Sequence, residues 1–154
     1  MIEELIKQLK EKKLKISTAE SCTGGMLSAL ITSVSGSSEV FSYGFVTYSN
    51  DAKVKLLDVS EDALRVSGAV SEAAALEMCR GARRVSGSDI AVAITGIAGP
   101  KSDNTAKPVG LVYIGVSSEA GDVCEKFLFD GSRDEIRNQS VNAAITLCIE
   151  TTLT

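Results

Sequence analysis

Ile2, Leu5, Ile6 and Leu9 recur at the i, i+3, i+4, i+7 spacing of one helical face, so the chain opens with an amphipathic helix ending near Lys12. Leu14 to Ala19 then reads as a short strand. Glu20-Ser21-Cys22-Thr23-Gly24-Gly25 forms a strand-to-helix turn, with Ser21 or Thr23 as cap of a helix to about Ser33. Phe41 to Tyr48 is a second strand, bulged around Gly44. Asn50 to Leu57 is a short helix bearing Lys53, and Ser60 caps another. Ser71 opens a longer helix to about Val85, with Ala75, Met78, Cys79 and Ala82 as its buried stripe. Asp89 to Thr95 is nearly all apolar, as a central strand covered on both faces should be. Val109 to Ser117 and Val123 to Phe129 are strands whose short connection demands antiparallel pairing, which makes the sheet mixed. Ser132 and Glu135 form a capping box for a final helix that turns Ile136, Ala143, Ala144 and Leu147 to the sheet.

Composition narrows what such a chain does. At 154 residues and 44% apolar, residues 1–154 fit one globular domain with a sizeable core. The net charge of −4 argues against a nucleic-acid partner, since neutralising phosphates needs a basic face. The run Lys10, Lys12, Lys13, Lys15 reads as a solvated helix end. No apolar run is long enough for a signal peptide or a membrane span, so a cytoplasmic protein with no membrane partner is expected. The four cysteines form no CxxC pair and there is no histidine, so no metal site is expected and the thiols read as buried and reduced.

The lack of histidine also limits the chemistry. A nucleophile here must be activated by lysine, tyrosine, a carboxylate or a metal, and lysine is the base the pattern favours. Ser38, Tyr48 and Lys53 lie in one short span and are expected to converge. Two other features suggest ligand contacts. N–H groups at the start of the helix after Gly24-Gly25 suit a phosphate or carboxylate, and the Gly96-Ile97-Ala98-Gly99-Pro100 loop after the apolar strand is a natural wall of a site. Arg133 and Arg137, four apart on a helix start, share a face and form a candidate phosphate clamp.

Thr18-Ala19-Glu20-Ser21-Cys22-Thr23-Gly24-Gly25, Gly44-Phe45-Val46-Thr47-Tyr48-Ser49-Asn50, Gly68-Ala69-Val70-Ser71-Glu72, Thr95-Gly96-Ile97-Ala98-Gly99-Pro100 and Lys107-Pro108-Val109-Gly110 resemble the signature blocks of the CinA C-terminal domain family. The resemblance covers nearly the whole chain. It implies a three-layer α/β/α sandwich with a mixed, mainly parallel sheet of about five strands. It also implies a serine-lysine amidase that uses no metal or cofactor and deamidates nicotinamide mononucleotide to nicotinate mononucleotide in pyridine-nucleotide recycling. Carried over, Ser38 is the nucleophile, Lys53 its base and Tyr48 a helper, while Ser21 is either the attacking hydroxyl or an oxyanion or amide contact. Beside the resemblance, the turns at Thr23-Gly24-Gly25 and Thr95-Gly96, with Arg133 and Arg137, are the expected substrate contacts. Longer members carry a separate N-terminal domain, and a chain that starts at the first helix is expected to be a stand-alone form. The competing class is a non-catalytic nucleotide-sensing or protein-interaction module. Homo-oligomerisation is left open by the residues.

Overall fold

The computed structural model describes residues 1–153. Five strands form one sheet: β1 (Ile16–Glu20), β2 (Phe41–Val46), β3 (Ile90–Gly96), β4 (Leu111–Ser118) and β5 (Gly121–Leu128), in the spatial order β2-β1-β3-β4-β5. The β1–β2 and β1–β3 ladders are parallel, and β3–β4 and β4–β5 are antiparallel, so β4 alone opposes the common direction. The six helices are α1 (Ile2–Lys12), α2 (Met26–Thr32), α3 (Asn50–Leu57), α4 (Glu61–Ser67), α5 (Glu72–Ser86) and α6 (Arg133–Cys148), and α6 runs on into a π-helical turn, Ile149–Leu153.

The alternation of a pleated strand decides what covers each face. Ile90, Val92 and Ile94 of β3, with Ile16, Val112, Ile114 and Val116, form the large core under α1, α2 and α6. The intervening Ala91 and Ala93, with Ala19, meet Met78, Cys79 and Ala82 of α5 together with Leu57 and Val59. This gives three layers, α/β/α. Small residues on the second face bring the backbones close: a Cβ on Gly115 would lie 2.9 Å from the Ala75 carbonyl oxygen, and one on Gly81 would lie 2.1 Å from that of Leu57.

Gly81→Ala sets two effects against each other. Alanine gains about 1 kcal/mol of helix propensity, whereas the new methyl strikes the C-terminal backbone of α3, and overpacking of this kind costs roughly 1–3 kcal/mol. The collision involves backbone and cannot be relieved by a rotamer change. A net loss in chemical unfolding is therefore expected, and a variant as stable as the parent would show that α3 and α5 separate freely.

Local chemistry accounts for the helix starts. Ser49, Ser60, Ser71 and Ser132 each accept a hydrogen bond from a first-turn backbone N–H, and Ser132 with Glu135 closes a full capping box. The start of α2 departs from expectation. Neither Ser21 nor Thr23 caps it; Ser21 sits at a bend, residues 22–25 form a turn, Gly25 is the N-cap at φ 107°, and the helix begins at Met26. β2 ends at Val46, short of Tyr48, and its bulge falls at Ser42 between the pairs Ile16–Phe41 and Ser17–Tyr43, ahead of Gly44. In α6, Ile136, Ala144 and Leu147 are buried as expected, Ala143 is half-buried, and Ser140, Val141, Ile145 and Cys148 complete the face. Among the described residues no helix is long and apolar enough to cross a membrane.

Candidate active site

Because β1 and β2 run parallel, the segments leaving their carboxyl ends emerge at the same edge of the sheet. Ser21 directly succeeds β1, with its N–H on the Ile94 carbonyl at 2.9 Å. Thr47 and Tyr48 succeed β2, and the chain then turns into α3 through Ser49, whose Oγ accepts from Ala52 N–H at 3.0 Å. Lys53, one turn into α3, points back over the strand ends. Its Nζ donates to the Thr47 carbonyl at 2.7 Å, to Ser21 Oγ at 3.0 Å and, longer, to the Tyr48 carbonyl at 3.5 Å.

Lys53 is 1% exposed and forms no ion pair among the described residues. Burial strips the ammonium of water and pulls its pKa down to about 8, with the neighbouring Cys22 thiol acting weakly the other way. Cys22 is itself pushed up to about 11 by burial, which leaves it a protonated, unreactive thiol. The result is an amine that is about one-tenth neutral at pH 7, far more than an ordinary lysine, and within hydrogen-bond reach of a serine hydroxyl. That is the requirement for a serine-lysine nucleophile.

The pair borders a cavity of about 270 Å³. Val70 and Ile97 supply apolar wall, the Gly96–Gly99 loop supplies backbone, and Lys101, Asp103 and Arg133 give it charge. The wall is fixed from behind. Thr95 Oγ1 donates to the Ala69 carbonyl at 2.7 Å, and Lys107 Nζ donates to the carbonyls of Ser67 and Val70, each at 2.6 Å. A larger groove of about 380 Å³, lined by Leu14, Arg83, Asp89 and Glu119 among others, contains no paired nucleophile and base.

The remaining expected residues separate into groups. Ser38 is exposed in a 3₁₀ turn, Ser37–Glu39, ahead of β2, whereas Lys53 reaches the far end. The six-residue strand β2 between them corresponds to about 20 Å, so Ser38 and Lys53 do not meet. Tyr48 lines the cavity, is 63% exposed as a residue, and its hydroxyl accepts from Arg133 Nη2 at 3.3 Å; its carbonyl is the group that accepts from Lys53. Gly96 lines the cavity, and any side chain there would strike Val112 and the Leu111 carbonyl.

Thr23 and Gly24 are committed internally: Thr23 Oγ1 donates to Glu20 Oε1 at 2.7 Å and the Gly24 N–H donates to the Ser21 carbonyl at 3.1 Å. The phosphate-ready N–H groups of α2 are also occupied, since those of Leu27 and Ser28 bind the Glu20 carboxylate. The two arginines diverge. Arg133 lines the cavity and donates to the Gly99 carbonyl at 2.7 Å, but Arg137 turns away to the carbonyls of Cys22 and Thr23 at 3.1 and 3.2 Å, where it ties α6 to the serine turn. They do not form one clamp.

Glu20 and Lys107 escape sequence reasoning, although an acid closing an otherwise buried strand was a signal that it would be held internally. Thr47 Oγ1 is buried without a partner among the described residues. No group of three or more His, Cys, Asp or Glu side chains among them is arranged to hold a metal ion.

The sequence model of the CinA C-terminal domain matches residues 1–152. A putative competence-damage inducible protein of Caldicellulosiruptor bescii is 49% identical over 145 residues, 94% of this chain and 35% of that protein. A CinA-like protein of Thermotoga maritima is 46% identical over 145 residues, again 94% of this chain and 35% of the relative. The chain thus spans about a third of the length of these curated relatives. Among solved structures, competence damage-inducible protein A of Klebsiella pneumoniae superposes with a TM-score of 0.93 at 31% identity, covering 97% of this chain and 96% of that one. The competence/damage inducible protein CihA of Agrobacterium tumefaciens gives 0.89 at 42% identity, covering 97% and 94%. Sequence and architecture agree over almost every described residue, and the chain belongs to the CinA family through its C-terminal domain.

Proposed function

We propose that this domain hydrolyses the carboxamide of nicotinamide mononucleotide, with Ser21 as nucleophile and Lys53 as its base. The observation that carries this reading is the 3.0 Å contact between a buried, ion-pair-free lysine and a serine hydroxyl at the wall of a cavity. The amide substrate comes from the family resemblance.

In its neutral form Lys53 Nζ accepts the Ser21 hydroxyl proton as Oγ attacks the carboxamide carbon. The C–O bond forms and the carbonyl π pair moves to oxygen. Collapse of the tetrahedral species breaks the C–N bond, and the proton held on Lys53 passes to the leaving nitrogen, giving ammonia and an acyl-serine. Water, deprotonated by Lys53 in turn, then attacks the acyl carbon; the bond to Ser21 Oγ breaks, Oγ takes back the proton from Lys53, and nicotinate mononucleotide leaves. The Thr47 carbonyl holds the lysine in place through both half-reactions. Incubation of purified protein with nicotinamide mononucleotide should release ammonia and the nicotinate product in equal amounts, and failure to release either would sink the proposal.

We assign the substrate's phosphate to Arg133, a reading supported by its position on the cavity wall. A contact made equally in ground and transition states changes KM and leaves kcat alone. Arg133→Ala should therefore raise KM for the mononucleotide by about tenfold or more, the scale of losing a charge-assisted hydrogen bond, with little effect on the dephosphorylated riboside. Arg137→Ala, which loosens the serine turn, should lower kcat for both substrates alike. Equal losses on both substrates for Arg133→Ala would move the phosphate elsewhere.

A further inference from the structure

Glu20 is fully buried, yet no lysine or arginine pairs with it among the described residues. Its carboxylate instead accepts four hydrogen bonds. Oε1 receives Thr23 Oγ1 at 2.7 Å and Leu27 N–H at 2.8 Å, and Oε2 receives Ser28 N–H at 3.0 Å and Ser28 Oγ at 2.7 Å. A buried carboxylate is costly unless its lone pairs are satisfied, and here they are satisfied entirely by the segment just after Ser21. The main chain of the same residue reaches the other side of the site. Its carbonyl accepts the Thr47 N–H at 2.9 Å, and the Thr47 carbonyl is the nearest acceptor of Lys53 Nζ, at 2.7 Å.

One residue is thus bonded to both carriers of the dyad: through its side chain to the turn behind Ser21, through its backbone to the strand end that holds Lys53. We infer that Glu20 is the positioning residue of the Ser21–Lys53 pair, setting the direction of Ser21 Oγ without touching the substrate. The inference rests on the proposed serine-lysine chemistry. Glutamine at this place keeps the volume but replaces one acceptor oxygen by an NH₂; with the remaining oxygen toward Thr23 and Leu27, two donors stay served, the Ser28 hydroxyl can turn to accept from the NH₂, and the Ser28 N–H is opposed. The Ser21 turn then shifts while the base stays where it was.

The test uses two readouts on the full chain. One is deamidation of nicotinamide mononucleotide. The other is labelling of Ser21 by a fluorophosphonate, in which the Oγ–P bond forms, fluoride leaves and the proton passes to Lys53, so nucleophile placement is read without any amide. Misplacement of about 1 Å costs roughly 100-fold in such chemistry. Glu20→Gln is expected to lower both kcat and the labelling rate by about that factor, with KM and the pH midpoint unchanged, because the base and the cavity are untouched. Glu20→Asp, which keeps the charge but falls one methylene short, should be impaired as well. Ser60→Ala, which removes the cap of α4 and whose bonds are to Ala63 and Glu77 and not to the Ser21 turn, should lower stability and label at the parent rate.

Loss of labelling in step with thermal stability in all three variants, Ser60→Ala included, would overturn the inference, since Glu20 would then be only structural. Parent-rate labelling in Glu20→Gln would overturn it directly, as would a parent whose Ser21 is not labelled at all. A parent that labels at Ser21 yet releases no ammonia sinks the amidase reading alone, and the labelling comparison still decides the role of Glu20.

Discussion

Ser21→Ala and Lys53→Ala should each reduce deamidation by roughly 1,000- to 10,000-fold, the range of a lost nucleophile-base pair, and the double variant should be scarcely worse than either. Residues that act as one unit fail together, because the hydroxyl without its base and the base without its hydroxyl are equally idle. Strictly additive losses would mean the two act in separate steps. Ser38→Ala should retain near-parent activity, since its hydroxyl lies at the opposite end of β2; a dead Ser38 variant beside an active Ser21 variant would reverse the assignment. The same pair sets the pH profile. With Lys53 drawn down to about 8, the neutral fraction grows tenfold per unit below that value. Thus kcat/KM should climb with pH and level off above about 8. A flat profile between pH 6 and 9 would exclude Lys53 as the base.

The second large effect is on stability, and its sign is opposite to that on activity. Lys53 titrates near 8 in the folded chain and near 10.5 when solvated. Between these values the unfolded state holds more protons, so stability rises with pH through the window. Below it the full penalty applies, about 3 kcal/mol from 1.36 kcal/mol per pH unit. Lys53→Met keeps the length and removes the charge. It forfeits the bonds to Ser21 and to the Thr47 carbonyl, at about 1 kcal/mol net each. The variant should be more stable than the parent at pH 7 by about 1 kcal/mol, the remainder of these terms, and this advantage should reverse above pH 10.5, where the parent's lysine is neutral in both states. Denaturant unfolding of both proteins at the two pH values isolates the lysine from other titrations. An equally large deficit at both would show that the ammonium is not destabilised by its surroundings.

Much of the architecture was legible because its determinants are local. Asn50–Leu57 emerges with the boundaries the sequence suggests, because Ser49 caps one end and Asp58 stops the other in the left-handed region at φ 55°. The Ser132–Glu135 box does the same for α6. The site was legible only in part, because its geometry depends on which strands lie side by side. Ser38 and Ser21 are both serines in small-residue turns. Ser38 precedes its strand and Ser21 succeeds its own, and in a parallel arrangement only a residue beyond the end of its strand reaches the carboxyl edge. The divergence of Arg133 and Arg137 was hidden for a related reason. Helical spacing puts them on one face, but the carbonyls of Cys22 and Thr23 claim the second guanidinium from a segment more than a hundred residues earlier.

The strand order carries a consequence for how the chain reaches this state. β3, β4 and β5 are successive in sequence and adjacent in space, with only Glu119 and Ala120 between the last two, so this antiparallel meander closes early and at small entropic cost. β1 is different. It must be inserted between β2 and β3, pairing Ile16 with Ile90 across almost half the chain. Long-range parallel pairing of that kind is slow because loop closure comes before any reward. The end of the sheet that carries Ser21 and Thr47 is therefore expected to assemble last in refolding, when the amino-terminal half docks onto the meander, and a refolding chain would expose the open edge of β3 until β1 pairs with it.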